Sequence, residues 1–319
     1  MIGPISSKSL KKFMPTTNFI RMDITYIERK TGQKQQEKVY GRKLLSLLYG
    51  DGALRSFFST FILPMLTRIS FFSALVGYLH KHKRSAAKIE PFIAAYGIDA
   101  SEFAEARFKS FNDFFIRKLK REKRPVVPSP DQLALPADGR YLVFPQFDRF
   151  FVKGQEFDLH RFLQDPSLSE RFADGAMAIA RLCPTDYHRF HFPCDGIPSQ
   201  PRLINGFLYS VNPMALRKKI AILAENKRMV TEIETERFGK ILFVEIGATC
   251  VGSIHQTFAM GKSVRKGEEK GYFEFGGSCI VLLFEKNRIE FDSDLVLHSQ
   301  QGLETRANFG ESLGRAVAR

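Results

Sequence analysis

Between residues 266 and 285 the chain reads KGEEKGYFEFGGSCIVLLFE, an apolar strand pattern interrupted at Gly276, Gly277 and Ser278. Interior glycines cost a strand packing and conformational entropy, so the break demands a reason. It reads either as a β-bulge or tight turn between two strands, or as a peptide bond, Gly277–Ser278, that the protein itself attacks. Other short β-type runs occur at Arg140–Phe144, Arg189–Phe192, Ile241–Ile246 and Ile280–Phe284. Separated by Gly and Pro turns, they predict a sheet-rich region from residue 131 onward.

The earlier part of the chain has a helical texture. Asp99 and Glu102 form a capping-box pattern, after which Phe108, Phe111, Phe115 and Leu119 share one helical face and Arg117, Lys118 and Lys120 spread around the other. Arg124-Pro125 and the prolines at 128 and 130 end that helix and predict a linker. Upstream, Arg55 to His80 is dense in Phe, Leu and Ile and runs into HKHKR. Pro64 and Arg68 divide it into apolar pieces of about a dozen residues, short of the ~20 that span a bilayer. A membrane-surface helical hairpin or re-entrant wedge is expected, against the plainer alternative of two buried core helices. The fold class is therefore α+β, with residues 1–130 a basic, largely helical membrane-associating region and residues 131–319 a β-rich core.

At 319 residues the chain can bury a sizeable core with an appendage. Its net charge is +14, and the excess is uneven: residues 1–130 carry 24 Lys and Arg against 10 Asp and Glu, whereas residues 131–319 carry 24 against 24. A basic, apolar first part fits an anionic lipid surface, and no nucleic-acid-binding motif accompanies the charge. The N-terminus lacks the pattern of a secretory signal; an organellar transit peptide remains open, though the stretch is poor in Arg. Cys183, Cys194, Cys250 and Cys279 lack metal spacing and imply a reducing compartment.

Candidate chemistry centres on three segments. A serine hydroxyl needs a nearby base and a group that orients the base. DYHRFHFP at 186–193 supplies His188 and His191. Flanked by Pro184 and Pro193, the segment is expected to be extended, so residues three apart face opposite ways and would do different jobs unless a bulge re-aims one. His-x-x-His without a third ligand is a poor zinc signature, and no metal is expected. PADG at 136–139 offers Asp138, either a turn residue or the carboxylate of an Asp-His-Ser arrangement with Ser278.

GYFEFGGSCIVLLFE resembles the self-cleavage segment of the phosphatidylserine decarboxylases. SFNDFFIRKLK at 110–120, PADG, DYHRFHFP, GFLYSVNP at 206–213 and VGSI at 251–254 resemble further family segments in family order, covering roughly residues 105 to 285. The resemblance implies a β-sandwich or barrel-like core preceded by helices, and cleavage into a beta chain 1–277 and an alpha chain 278–319 that stay packed together. It also implies that Asp138 orients His191, that His191 deprotonates Ser278, and that His188 serves the later decarboxylation. Ser278 would become a covalent pyruvoyl group, which forms a Schiff base with the substrate amine and acts as electron sink. Phosphatidylserine in anionic membranes is the implied substrate, phosphatidylethanolamine and CO₂ the products. A homodimer, peripheral on the cytoplasmic face of a bacterial membrane, is expected.

One departure stands out: the position after the serine, usually Thr in the family, is Cys279, a thiol expected beside the scissile bond. Lys153-Gly154 and the stretch from Asn205 to Asn212 lie in family-like segments without a physical argument for a role. Competing readings are a serine hydrolase using Asp138, His191 and Ser278, which lacks a Gly-x-Ser-x-Gly elbow, and a non-catalytic membrane-binding module. A pyruvoyl-dependent decarboxylase of another amino acid or amino lipid is a third.

Overall fold

The computed structural model describes residues 24–38, 77–146, 151–152, 155–212, 215–216, 220–248, 253–276 and 278–318. Gly277, Cys250, Lys153, Gly154 and most of the apolar 55–80 segment lie outside them. In chain order the strands are β1 Thr25–Glu28, β2 Gln33–Gln36, β3 Gln132–Ala134, β4 Gly139–Phe144, β5 Phe151–Val152, β6 Gln155–Glu156, β7 Ala176–Leu182, β8 Arg189–His191 and β9 Ile197–Pro198. They continue as β10 Arg202–Ile204, β11 Arg228–Thr235, β12 Gly239–Gly247, β13 Ile254–Gln256, β14 Glu269–Phe273, β15 Ser278–Phe284, β16 Ile289–Phe291, β17 Glu304–Ala307 and β18 Ser312–Ala316.

The principal sheet has the order β10-β11-β12-β15-β7-β4-β17-β1-β2, and two smaller sheets run β13-β14-β8 and β16-β18-β3. Strand β15 lies between β12 and β7, antiparallel to both. All seven of its residues are buried, which is why SCIVLLF lacks a polar alternation. Ile280, Leu282 and Phe284 face a core shared with Phe190 and Phe192 next to β14 and with Leu133, Ile289 and Leu313 of the third sheet. Cys279, Val281 and Leu283 face a second core closed by the helices Leu159–Leu163, Pro166–Arg171 and Ile222–Glu225. The fold is thus mixed α+β, a large sheet covered by small sheets on one face and short helices on the other.

The first part of the chain departs from expectation. Residues 25–36 form a β-hairpin whose β1 pairs in parallel with β17, so the sheet extends into the supposed helical region. The long helix expected after Asp99 is instead a 3-10 turn, Ala100–Glu102, and a separate helix, Phe111–Phe115. Asp99 caps only the first, accepting from the Ser101 N–H, while the Ser110 hydroxyl accepts from the Asp113 N–H to start the second. Glu102 turns away to Arg124 at 2.9 Å, and Phe103 bridges to Leu119 in extended pairing. Phe111, Phe114 and Phe115 still bury together with Phe92, Phe103 and Phe275, so the apolar stripe was real although the continuous helix was not. The proline segment is no free linker, since Val127 N–H donates to Gly310 O at 2.9 Å.

Between the principal and smaller sheets lies a fully buried ion pair. Lys270 on β14 bonds Glu245 on β12, and its ammonium also donates to Thr231 Oγ1 at 2.9 Å and to Gln256 Oε1 at 2.8 Å. The rings of Phe243 and Phe258 stand 4.9 and 5.2 Å from the ammonium. Burial pushes the Glu245 carboxyl up and the Lys270 ammonium down from their ordinary values. Removing one partner strands a charge, whereas removing both does not. Lys270→Met is therefore expected to destabilise the fold by about 3–5 kcal/mol in urea unfolding, and Lys270→Met with Glu245→Leu to recover most of that loss.

Candidate active site

Ser278 is the first residue of β15, fully buried and paired with Gly247 and Leu182. Its Oγ lies 3.3 Å from His188 Nδ1. His188 precedes β8, in the connection from β7, and its Nε2 is 2.9 Å from the Cys183 carbonyl. A carbonyl only accepts, so Nε2 carries the proton and Nδ1 presents a lone pair to the serine hydroxyl. Burial pushes the imidazole down to about 3, which keeps it neutral and able to accept. The ring stacks on Phe115, centroids 3.9 Å apart.

The turn that carries His188 is pinned from several directions. Cys183 O also accepts the Asp186 N–H at 2.8 Å, and Asp186 Oδ2 accepts from Cys183 N–H and from Arg140, both at 2.7 Å. Arg117 donates to the carbonyls of Thr185 and Asp186 at 3.2 Å each. Arg140 belongs to a cross-strand row: Arg181 on β7, Arg140 on β4 and Arg306 on β17 are register neighbours. Like charges directly opposite repel, so the row needs acids around it. Glu37, just after β2, lies 2.6 Å from Arg181 and 2.9 Å from Arg140; Glu304 lies 2.6 Å from Arg181, and Glu28 2.7 Å from Arg306. These cations hold the Glu37 and Asp186 carboxyls below their ordinary range against the opposing effect of burial.

The other expected site residues sit apart from the serine. His191, at the end of β8, donates from Nδ1 to Gly267 O at 3.0 Å and accepts at Nε2 from the Tyr187 hydroxyl at 3.2 Å. Its ring lies on Phe309 at 3.7 Å, beside a groove of about 750 Å³ lined by Lys118, Lys120, Arg265 and Lys266. Asp138 makes no hydrogen bond to His191. It accepts from Arg124 Nε at 2.9 Å and Nη2 at 2.7 Å, and from the Phe309 N–H at 2.8 Å. Asp138 and His191 are linked through Phe309 and through the His191 backbone N–H, which donates to Pro136 O at 2.8 Å, and the histidine in contact with Ser278 is His188. The offset of three along an extended segment separates the two rings, as alternation requires.

Alternation also removes the expected thiol from the reacting side. Cys279 points to the helix-covered core, whereas Ser278 opens the row that continues through Ile280 and Leu282. Its thiol is fully buried and pushed up to about 12 by desolvation, so it carries no thiolate at neutral pH. Ahead of the serine, Gly276 holds φ 143°, a region that L side chains rarely adopt. Cys183 and Cys194 are likewise buried free thiols, and among the described residues no His, Cys, Asp and Glu cluster could hold a metal. Sequence reasoning missed Asp186, Arg140, Arg117 and Phe115; the last three stood in motifs read for pattern alone.

Burial pushes His191 down to about 4 and His188 to about 3. The unfolded chain thus binds protons below its histidine pKa of about 6.5 that the folded chain refuses, so stability falls as pH drops. Between pH 7.5 and 5.5 each histidine is expected to cost roughly 1.4 kcal/mol. Urea unfolding of Ser278→Ala, a single covalent species, measures the sum, and His191→Gln in that background should flatten the slope by one histidine.

A family model described as phosphatidylserine decarboxylase matches residues 111–315. The phosphatidylserine decarboxylase proenzyme of Chlamydia muridarum (strain MoPn / Nigg) is 48% identical over 298 residues, covering 92% of this chain and 97% of the relative. The proenzyme of the same name from Chlamydia trachomatis serovar D is 45% identical over 298 residues, with the same coverage of 92% and 97%. That of Chlamydia pneumoniae is 45% identical over 296 residues, covering 91% and 97%. With the family match spanning most of the sheet and both histidine positions, the chain belongs to the phosphatidylserine decarboxylase family.

Proposed function

We propose that this chain is a self-processing enzyme that converts phosphatidylserine to phosphatidylethanolamine and CO₂. The observation that carries the reading is the buried contact of Ser278 Oγ with the unprotonated Nδ1 of His188, at the end of a strand entered through a positive-φ glycine. In the cleavage step Oγ attacks the Gly277 carbonyl carbon, and the acyl group passes from N to O. Elimination expels the Gly277 carboxylate and leaves dehydroalanine at 278; water then hydrolyses its imine tautomer, releasing ammonia and leaving a pyruvoyl group. The position fits such a group, being buried from bulk solvent, clamped in the sheet on both sides and beside an uncharged imidazole. Held there, a pyruvoyl group would supply a carbonyl for the substrate amine and a sink for the electron pair left by CO₂.

The remaining steps fall to the chain's own side chains. His188, adjacent to residue 278, moves the proton at the reacting carbon during decarboxylation. Its Nε2 proton stays on Cys183 O, so Nδ1 is the atom that exchanges. For the cleavage step we keep the Asp138–His191 pair that the resemblance implies, with His191 taking the Ser278 proton once its ring leaves Gly267 O and Phe309, since here it sits apart from the serine. The Tyr187 hydroxyl donates to Nε2 of that imidazole, and rotation of the hydroxyl frees that atom. The first part of the chain meets the lipid: Tyr78 and Leu79, at the described end of the apolar segment, are 66% and 53% exposed and precede Lys81, Lys83 and Arg84. The enzyme is then peripheral, on an anionic cytoplasmic membrane face, and homodimeric as the resemblance implies. Among the described residues no helix is long and apolar enough to cross a membrane.

Intact-mass analysis with CO₂ release from phosphatidylserine vesicles tests the chemistry. Wild type is expected as two chains, and Ser278→Ala as one. His191→Ala should stay uncleaved, while His188→Ala cleaves yet releases CO₂ at least a hundredfold more slowly, the scale of a lost acid–base group. The reverse cleavage pattern would transfer the first step to His188, and release from free serine as fast as from vesicles would displace the lipid as substrate. In vesicle flotation, binding should rise with anionic lipid content and fall with salt; binding indifferent to both would refute the membrane assignment.

A further inference from the structure

The four residues 274–277 connect β14 to β15, and the segment is held by a part of the chain more than 150 positions earlier. Phe275 N–H donates to Asn112 Oδ1 at 3.0 Å, a buried bond across 163 residues. An N–H only donates, so the amide oxygen of Asn112 faces it. The Phe275 ring stacks on His80 at 4.0 Å and meets Phe111 and Phe115 edge-on at 5.3 and 5.1 Å. Lys81 pairs with Glu274 at 2.7 Å. Asn112 sits in the first turn of Phe111–Phe115, where asparagine adds nothing to helix propensity and Ser110 already provides the cap.

Backbone strain persists only where the surroundings over-determine it. On one side of the positive-φ Gly276, Ser278 is fixed by two strand neighbours. On the other, Phe273 donates to His188 O at 3.0 Å, and Phe275 is fixed by Asn112. Beside the ring packing of Phe275 and the Glu274 N–H bond to Ser253 O at 3.3 Å, Asn112 is the buried side-chain bond to the Phe275 backbone, and losing it loosens the segment that holds Gly276 in its conformation.

We infer that Asn112 is a positioning residue for self-cleavage, fixing the backbone of Phe275 two residues ahead of Gly277 so that the strained approach to the scissile bond is maintained. This rests on the self-processing reading above. In the full chain, Asn112→Leu should form the two-chain product about tenfold more slowly, the scale of one lost hydrogen bond, while Asn112→Asp, which keeps the acceptor, restores the rate to within about threefold. CO₂ release per cleaved chain should stay within about twofold of wild type in both, because the role ends when the bond opens. Asn112→Leu cleaving at the wild-type rate would overturn the inference, as would failure of Asn112→Asp to rescue, or turnover per cleaved chain falling in step with cleavage. A wild-type chain that stays intact would instead sink the self-processing reading itself.

Discussion

Three arginines abreast in adjacent strands would tear at a sheet unless something neutralised them, and most of the site's order follows from how Arg181, Arg140 and Arg306 are neutralised. Glu28 and Glu37 come from the N-terminal hairpin, Glu304 from β17, and Asp186 from the turn ahead of β8. Because Asp186 is both a counter-ion and the acceptor of Cys183 N–H, the electrostatics of the row are converted into the shape of a turn. The turn in turn offers the Cys183 carbonyl to His188 and so decides which imidazole nitrogen is free. A hairpin remote from the reacting atoms thereby bears on a tautomer beside Ser278.

A second constraint is the two-residue period of β15. It assigns neighbouring side chains to different cores, so the serine faces His188 while the adjacent thiol is immersed among aliphatic groups. Cys for Thr at 279 is then a packing substitution on the helix-covered side, with no bearing on nucleophilicity. The same strand, buried on both faces, cannot shift register without exchanging those roles wholesale.

Much of this was legible in the sequence. The run SCIVLLF announced a buried strand, the glycines before it announced an unusual backbone, and the spacing of His188 and His191 implied separate surroundings. The carboxylate of Asp138, expected to partner His191, accepts from Arg124 and the Phe309 N–H, contacts spanning 14 and 171 residues that no local pattern displays. The β1–β2 hairpin was missed because TYIE and QKQQ are too short to signal strands, and because Glu28 and Glu37 act only when the row of arginines has assembled. The charge boundary near residue 130 was genuine as arithmetic, but it is not a structural seam: Arg124 is buried against Asp138, and the phenylalanines of 103–115 surround Phe275.

The placement of Ser278 at the head of β15 has a thermodynamic consequence. Until the bond before it opens, folding is a unimolecular event, and the chain that unfolds is the chain that refolds. Afterwards residues 278–319 contribute β15 to the middle of the principal sheet and β17 between β4 and β1, interleaved with strands from the other fragment. Escape of the short fragment requires dismantling the sheet, while reassembly becomes a bimolecular search in which the exposed ends of both pieces can aggregate. Cleaved as proposed, the protein is a two-chain complex whose lifetime is set by an unfolding barrier, and dilution, harmless to the intact precursor, makes each loss permanent.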